Sequence, residues 1–139
     1  MIRKIVPDVV KGQELLALPA TATVREAACA MQVHNVGAVL IATDERLEGI
    51  FTERDLVNRV VAVGRDPDHT PLSDVMTEDP DTVGPNATAI DALRRMEDAG
   101  YRHLPVTENG RLVGIVSRRD FSGTEKARLE QETALWHRL

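Results

Sequence analysis

A chain of 139 residues, 42% of them hydrophobic, is long enough for one compact domain or two small, intimate subdomains and too apolar for disorder. With only 3% aromatic residues, any core must be aliphatic, filled by Val, Ile, Leu, Ala and Met. The formal net charge of -5 argues against general affinity for nucleic acid or anionic membrane, since both require basic surface that displaces counterions.

The first residues, Met1 to Asp8, lack the apolar core of a secretory signal. The longest mostly apolar run, Val36 to Ala42, falls far short of the ~18 residues that cross a bilayer. Cys29 is the single cysteine and can form no intrachain disulfide, and its neighbours Ala27, Ala28 and Ala30 suggest a buried helix face. A reducing, cytoplasmic setting is expected.

In chain order, the first helix is expected from Thr23, whose hydroxyl precedes Glu26 by three residues. Val24, Ala27, Ala28 and Met31 follow at helical spacing. Val36 to Ala42 then reads as a strand, Thr43-Asp44-Glu45 as a polar turn and Leu47 to Phe51 as a second strand, together forming a hairpin. A helix follows at once through Asp55 to Val61, with Gly64 placed to end it, and Arg65 to Pro71 reads as a connecting loop. The same order returns: a cap at Thr88 with Asp91, a helical face of Ala89, Ala92, Leu93 and Met96, then strands Leu104 to Val106 and Leu112 to Val116 around an Asn109-Gly110 turn. A charged, helix-forming tail runs from Thr124 to Leu139, with Leu129, Leu135, Trp136 and Leu139 as apolar positions. It either covers a subunit interface, where Trp is favoured, or folds back on its own repeats.

This recurrence is a duplication. Shifting the chain by 65 residues aligns Pro19 through Asp55 with Gly84 through Asp120 without a gap, and 10 of the 37 positions are identical. Chance gives roughly two or three.

The most informative shared pattern is Gly49-Ile50-Phe51-Thr52-Glu53-Arg54-Asp55, repeated as Gly114-Ile115-Val116-Ser117-Arg118-Arg119-Asp120. A hydroxyl at a helix start lies among unpaired backbone N–H groups and favours phosphate. An aspartate one turn later faces the same side and can accept hydrogen bonds from both hydroxyls of a ribose. The bland alternative is a pair of capping boxes, but a cap alone needs neither the preceding glycine nor its duplication.

The combined pattern resembles the cystathionine-beta-synthase (CBS) family, whose repeats end in Gly, two apolar residues, Thr or Ser, two variable residues and Asp. His103-Leu104-Pro105-Val106 with Asn109 to Gly114 resembles the second half of such a repeat, and Asp74-Val75-Met76-Thr77 resembles a lead-in strand. The likeness spans about residues 8 to 121, dividing the chain into a repeat at 8–64, a connection at 65–73, a second repeat at 74–121 and a helical tail at 122–139. It implies an α+β fold of two β-α-β-β-α repeats related by a pseudo-twofold axis, with their sheets packed together and an adenosine nucleotide in each of two clefts between them. Carried over by position, one cleft would use Ile50, Thr52 and Asp55 with Met76, Asp81, Tyr101, Arg102 and His103. The other would use Ile115, Ser117 and Asp120 with Lys11, Leu16, Val36, Gly37 and Ala38.

Two departures make the clefts unequal. Leu40 stands where the second repeat has Pro105, and Arg118 and Arg119 place two cations where Glu53 and Arg54 place an acid and a cation. No histidine has a partner at ligand spacing, so no metal is expected, and the chain lacks the phosphate-cradling and nucleophile motifs of common enzymes. Tyr101 reads either as a base-stacking ring or as core. The expected function is non-catalytic: a regulatory module, homodimeric by family resemblance, sensing AMP or ATP, with ADP, NAD and S-adenosylmethionine as other adenosine ligands and signalling to a regulated protein that the sequence does not name. The alternative is a ligand-free dimerisation or adaptor module.

Overall fold

In a computed structural model, which describes residues 2–10, 15–121 and 123–137, helix α1 (Val24–His34) begins at the expected cap. The Thr23 side chain accepts from the Glu26 N–H, and Asn35 in the left-handed region ends the helix. Val24, Ala27 and Met31 are buried, as the helical spacing requires. Cys29 is exposed, contrary to the sequence expectation, because it lies off the stripe that Val24, Ala27 and Met31 turn inward.

Strand β1 (Ala17–Leu18) runs parallel to β2 (Ala38–Thr43), which pairs antiparallel with β3 (Arg46–Thr52). The β2 to β3 turn places Asp44 and Glu45 both at positive φ. Helix α2 (Glu53–Asp55) passes into a π-helical turn over Leu56–Val61, and Gly64 follows at φ 76°. The expected lead-in strand over Asp74–Thr77 is instead a 3-10 turn, Leu72–Asp74, and a two-residue strand β4 (Thr77–Glu78) on β3.

The second repeat supplies α3 (Ala89–Ala99), β5 (His103–Glu108) and β6 (Arg111–Ser117). Thr88 and Asp91 form a reciprocal capping box, Gly100 ends α3 at φ 75°, and Asn109 and Gly110 turn the hairpin with positive φ, the chemistry a tight hairpin demands. A single 3-10 turn, Arg118–Asp120, precedes α4 (Gly123–His137), so no helix begins at once after β6. Six strands and four α-helical segments thus make an α+β fold among the described residues.

Two compact units emerge, and they do not follow the repeat boundaries. One comprises residues 1–13, 81–108 and 113–139, the other residues 14–80 and 109–112. The reason is a reciprocal exchange of lead-in segments. In the first unit the Ile5 N–H donates to the Ala87 carbonyl (2.8 Å) and the Ala89 N–H to the Arg3 carbonyl (2.8 Å). In the second, the Leu72 N–H donates to the Ala22 carbonyl (2.8 Å) and the Val24 N–H to the Thr70 carbonyl (3.0 Å). The segment ahead of each repeat is thus bonded to the start of the other repeat's first helix. Each exchange inserts a fully buried side chain: Ile5 joins Leu93, Met96, Leu104 and Val106, and Leu72 joins Val24, Ala27, Phe51 and Val60. Both cores are aliphatic but for one phenylalanine each, as the composition requires.

The 65–71 connection is anchored to α1. Arg25 pairs with Asp68 (2.7 Å), the Arg25 N–H donates to the Pro67 carbonyl, and the Thr70 hydroxyl donates to the Asp66 carbonyl. His69 Nδ1 lies 2.7 Å from Asp66 Oδ2, a contact that raises the imidazole's pKa and lowers the carboxyl's. In the first unit, α4 packs on α3 and buries Leu129, so this part of the tail folds back. Leu135 stays 63% exposed, while the side chain of Trp136 and Leu139 lie outside the described residues.

Candidate functional site

The first junction lies where β3 meets α2. Gly49 is required there by a close approach: a Cβ would lie 2.7 Å from the Met76 sulfur and 2.8 Å from the Thr77 carbonyl oxygen. The glycine therefore admits β4, which pairs Gly49 with Glu78 and Ile50 with Thr77. Three residues on, Thr52 and Asp55 close on each other. Asp55 Oδ2 accepts from the Thr52 N–H (3.0 Å) and hydroxyl (3.1 Å), and the Thr52 hydroxyl oxygen accepts from the Asp55 N–H (3.2 Å). Asp55 Oδ1 lies 3.6 Å from the Arg59 guanidinium, which also donates to the Val75 and Met76 carbonyls (3.2 and 3.1 Å). The Asp55 side chain is only 15% exposed. Arg59 was not among the residues singled out from sequence, though its position four residues after an aspartate at a helix start was the available signal.

The second junction, where β6 ends, has the same plan and different occupancy. Asp120 Oδ2 accepts from the Ser117 N–H (2.7 Å). Ser117 and Asp120 again form a capping box, but the approach of the Asp120 N–H to the buried Ser117 hydroxyl falls short of a hydrogen bond, and Asp120 is exposed with its other oxygen unpaired among the described residues. Arg118 pairs with Glu97, while Arg102 and Arg119 are exposed and their guanidinium groups have no partner among the described residues. The single 3-10 turn offers little helix dipole, so attraction for an anion here rests on these arginines rather than on a helix start. Arg3 fixes the junction from behind: it donates to both carboxylate oxygens of Glu125 and to the Asp120 carbonyl (3.1 Å).

Inside each unit, the start of a repeat's first strand lies beside that repeat's own junction. The Glu53 N–H donates to the Gly37 carbonyl (3.0 Å) and the Arg118 N–H to the Arg102 carbonyl (2.9 Å), positions related by the 65-residue shift. Gly37 and Ala38 thus stand beside Thr52, and Arg102 beside Ser117, each segment with the junction of its own repeat. Antiparallel register is the cause, since a hairpin puts the start of its first strand opposite the end of its second, here Ala38 opposite Thr52.

Ile50 and Ala38 are buried, Val36, Leu16 and Met76 half-buried against the core of their unit, and Ile115 and His103 half-buried in the other. Tyr101 is 39% exposed and so not core; its hydroxyl bonds Asp81, which raises the phenol's pKa. Lys11 lies outside the described residues. A surface depression of about 520 Å³ runs along α3 past Arg94 and Arg95 and includes none of the expected site residues.

A family model for the CBS domain matches residues 5–62 and again residues 72–123. The chain belongs to the CBS domain family. Its two CBS repeats are similar to the CBS domain-containing protein YhcV of Bacillus subtilis, 36% identical over 113 residues that cover 81% of this chain and 80% of that one. Arabidopsis thaliana CBS domain-containing protein CBSCBSPB1 is 38% identical over 102 residues, 73% of this chain; the chain spans only about a fifth of that plant relative's length (19%). Among solved structures, the CBS domain protein PAE2072 of Pyrobaculum aerophilum, complexed with AMP, superposes with a TM-score of 0.81 at 30% identity, over 94% of this chain and 99% of that one. Among the described residues no group of His, Cys, Asp and Glu could hold a metal ion, and no helix is long and apolar enough to cross a membrane.

Proposed function

We propose that this chain is a non-catalytic regulatory module that binds an adenosine nucleotide, of the AMP or ATP class, at the strand-to-helix junctions of its CBS repeats. The observation that carries this is the second junction: a buried serine hydroxyl that makes no full hydrogen bond, a half-used carboxylate three residues away and two unpaired arginines nearby. The capping box present here uses only one carboxylate oxygen and none of the guanidinium groups, whereas a ribose 5′-phosphate supplies donors to the open oxygen and acceptors to the hydroxyl and guanidinium groups. AMP in the structure of a 30% identical relative supports the same ligand class. Signalling requires that the nucleotide bind one conformation better than another, because equal affinity shifts no population.

The test is thermal unfolding of nucleotide-stripped protein with AMP, ADP, ATP, NAD and S-adenosylmethionine in turn. At a hundredfold excess over Kd, a ligand that binds only the folded chain stabilises it by about 2.7 kcal/mol. No shift with any of the five contradicts the proposal. A second reading, a ligand-free dimerisation module, draws on Val57, Val61 and Val63, which are 57%, 69% and 63% exposed. Under that reading, stripped protein is dimeric and no nucleotide changes its stability.

A further inference from the structure

The two junctions share a sequence plan, yet one has spent its bonding capacity internally. An aspartate carboxylate has about four lone-pair sites. At Asp55, the Thr52 N–H and hydroxyl occupy Oδ2 and the Arg59 guanidinium faces Oδ1. A ribose arriving there must displace Arg59, which simultaneously holds the Val75 and Met76 carbonyls, and must do so beside the negative charge of Glu53. At Asp120 one oxygen is open, the capping contact to the neighbouring hydroxyl falls short of a hydrogen bond, and, with Arg118 paired to Glu97, Arg102 and Arg119 supply the uncompensated charge. Binding there breaks none of the contacts described for that junction.

We propose that the Ser117–Asp120 junction fills first and that Arg59 is a latch holding the Thr52–Asp55 junction closed until nucleotide is abundant. The inference rests on the nucleotide-binding reading above and adds the order of occupancy and the residue that sets it. It makes the chain graded: one junction responds to low nucleotide, and the other opens only when the Arg59 contacts to Asp55, Val75 and Met76 are released together. Arg59 is a positioning residue here, acting through Asp55.

Calorimetric titration of the full, nucleotide-stripped chain with AMP tests this. The wild-type chain should show one tight site and a second weaker by about tenfold or more. Asp120→Asn, nearly isosteric, should abolish the tight site and leave the weak one. Arg59→Met should leave the tight site unchanged and strengthen the weak one about tenfold, whereas Arg59→Lys, which keeps the charge but not the fork, should fall between. The order is overturned if Asp55→Asn removes the tight site while Asp120→Asn spares it, or if Arg59→Met weakens binding, which would make Arg59 a ligand for the nucleotide. Absence of any binding to wild-type protein rejects the nucleotide reading and this order with it; binding with the reverse order rejects only the latter. Unfolding melts of each variant separate lost sites from lost structure.

Discussion

Replacing Ile5 with alanine should destabilise the chain by about 2–5 kcal/mol, and the damage should appear in the core of the second repeat rather than the first. Ile5 is fully buried among Leu93, Met96, Leu104 and Val106, and its N–H bonds the Ala87 carbonyl just ahead of α3. Truncation removes its apolar contacts and leaves a cavity that the close-packed neighbours fill only partly. The counterpart change, Leu72→Ala, should cost a similar amount in the core containing Val24, Phe51 and Val60. Amide hydrogen exchange reads the difference. Ile5→Ala should lower protection in α3 and β5 first, and Leu72→Ala in α1 and β2. Loss confined to the variant's own repeat would contradict the exchange of lead-in segments.

Gly49→Ala should cost about 1–3 kcal/mol, measured by urea unfolding, although the substitution adds only a methyl group. That methyl would sit 2.7 Å from the Met76 sulfur and 2.8 Å from the Thr77 carbonyl oxygen. Methionine is flexible enough to yield, but the carbonyl belongs to β4, which is paired to β3 at this point. The strain should therefore be shed by loosening β4, together with the Met76 carbonyl that Arg59 holds. A neutral Gly49→Ala variant would show that β4 is not seated as described.

These two effects also mark what could be read from the residues alone. The 65-residue duplication, both capped helices, both hairpins and the Asn109-Gly110 turn were legible because each rests on local chemistry: a hydroxyl three residues before an acid, a 3.6-residue apolar period, a residue pair suited to positive φ. Ile5 and Leu72 were not recognisable as exchanged core residues, since no local pattern records which helix a short segment will meet. That the start of each first strand stands beside its own repeat's junction has a reason the sequence did contain. Once Val36 to Ala42 and Leu47 to Phe51 were taken as a hairpin, antiparallel register already set Ala38 opposite Thr52. The role of Gly49 was equally hidden. Its conservation between repeats looked like part of a ligand motif, and the structure gives it a packing reason.

What distinguishes the junctions is tertiary as well. Thr52 and Ser117 are near-equivalent in sequence and both sit in capping boxes, yet one hydroxyl bonds its aspartate and the other is buried with no full hydrogen bond. The arginines differ too: Arg59 is committed to Asp55 and two carbonyls, whereas Arg119 makes no such bond among the described residues. An excess of cations around Ser117 was visible in the sequence; which of them were free was not.

The most direct test of nucleotide binding at the repeat junctions is an amide-resolved NMR titration of isotopically labelled, nucleotide-stripped protein with AMP. The account predicts that the Ser117, Arg118, Arg119 and Asp120 amides move first and saturate together, with Thr52 and Asp55 following only at higher nucleotide. Shifts centred on α3 around Arg94 and Arg95 with both junctions silent, or no shifts at all, would contradict it.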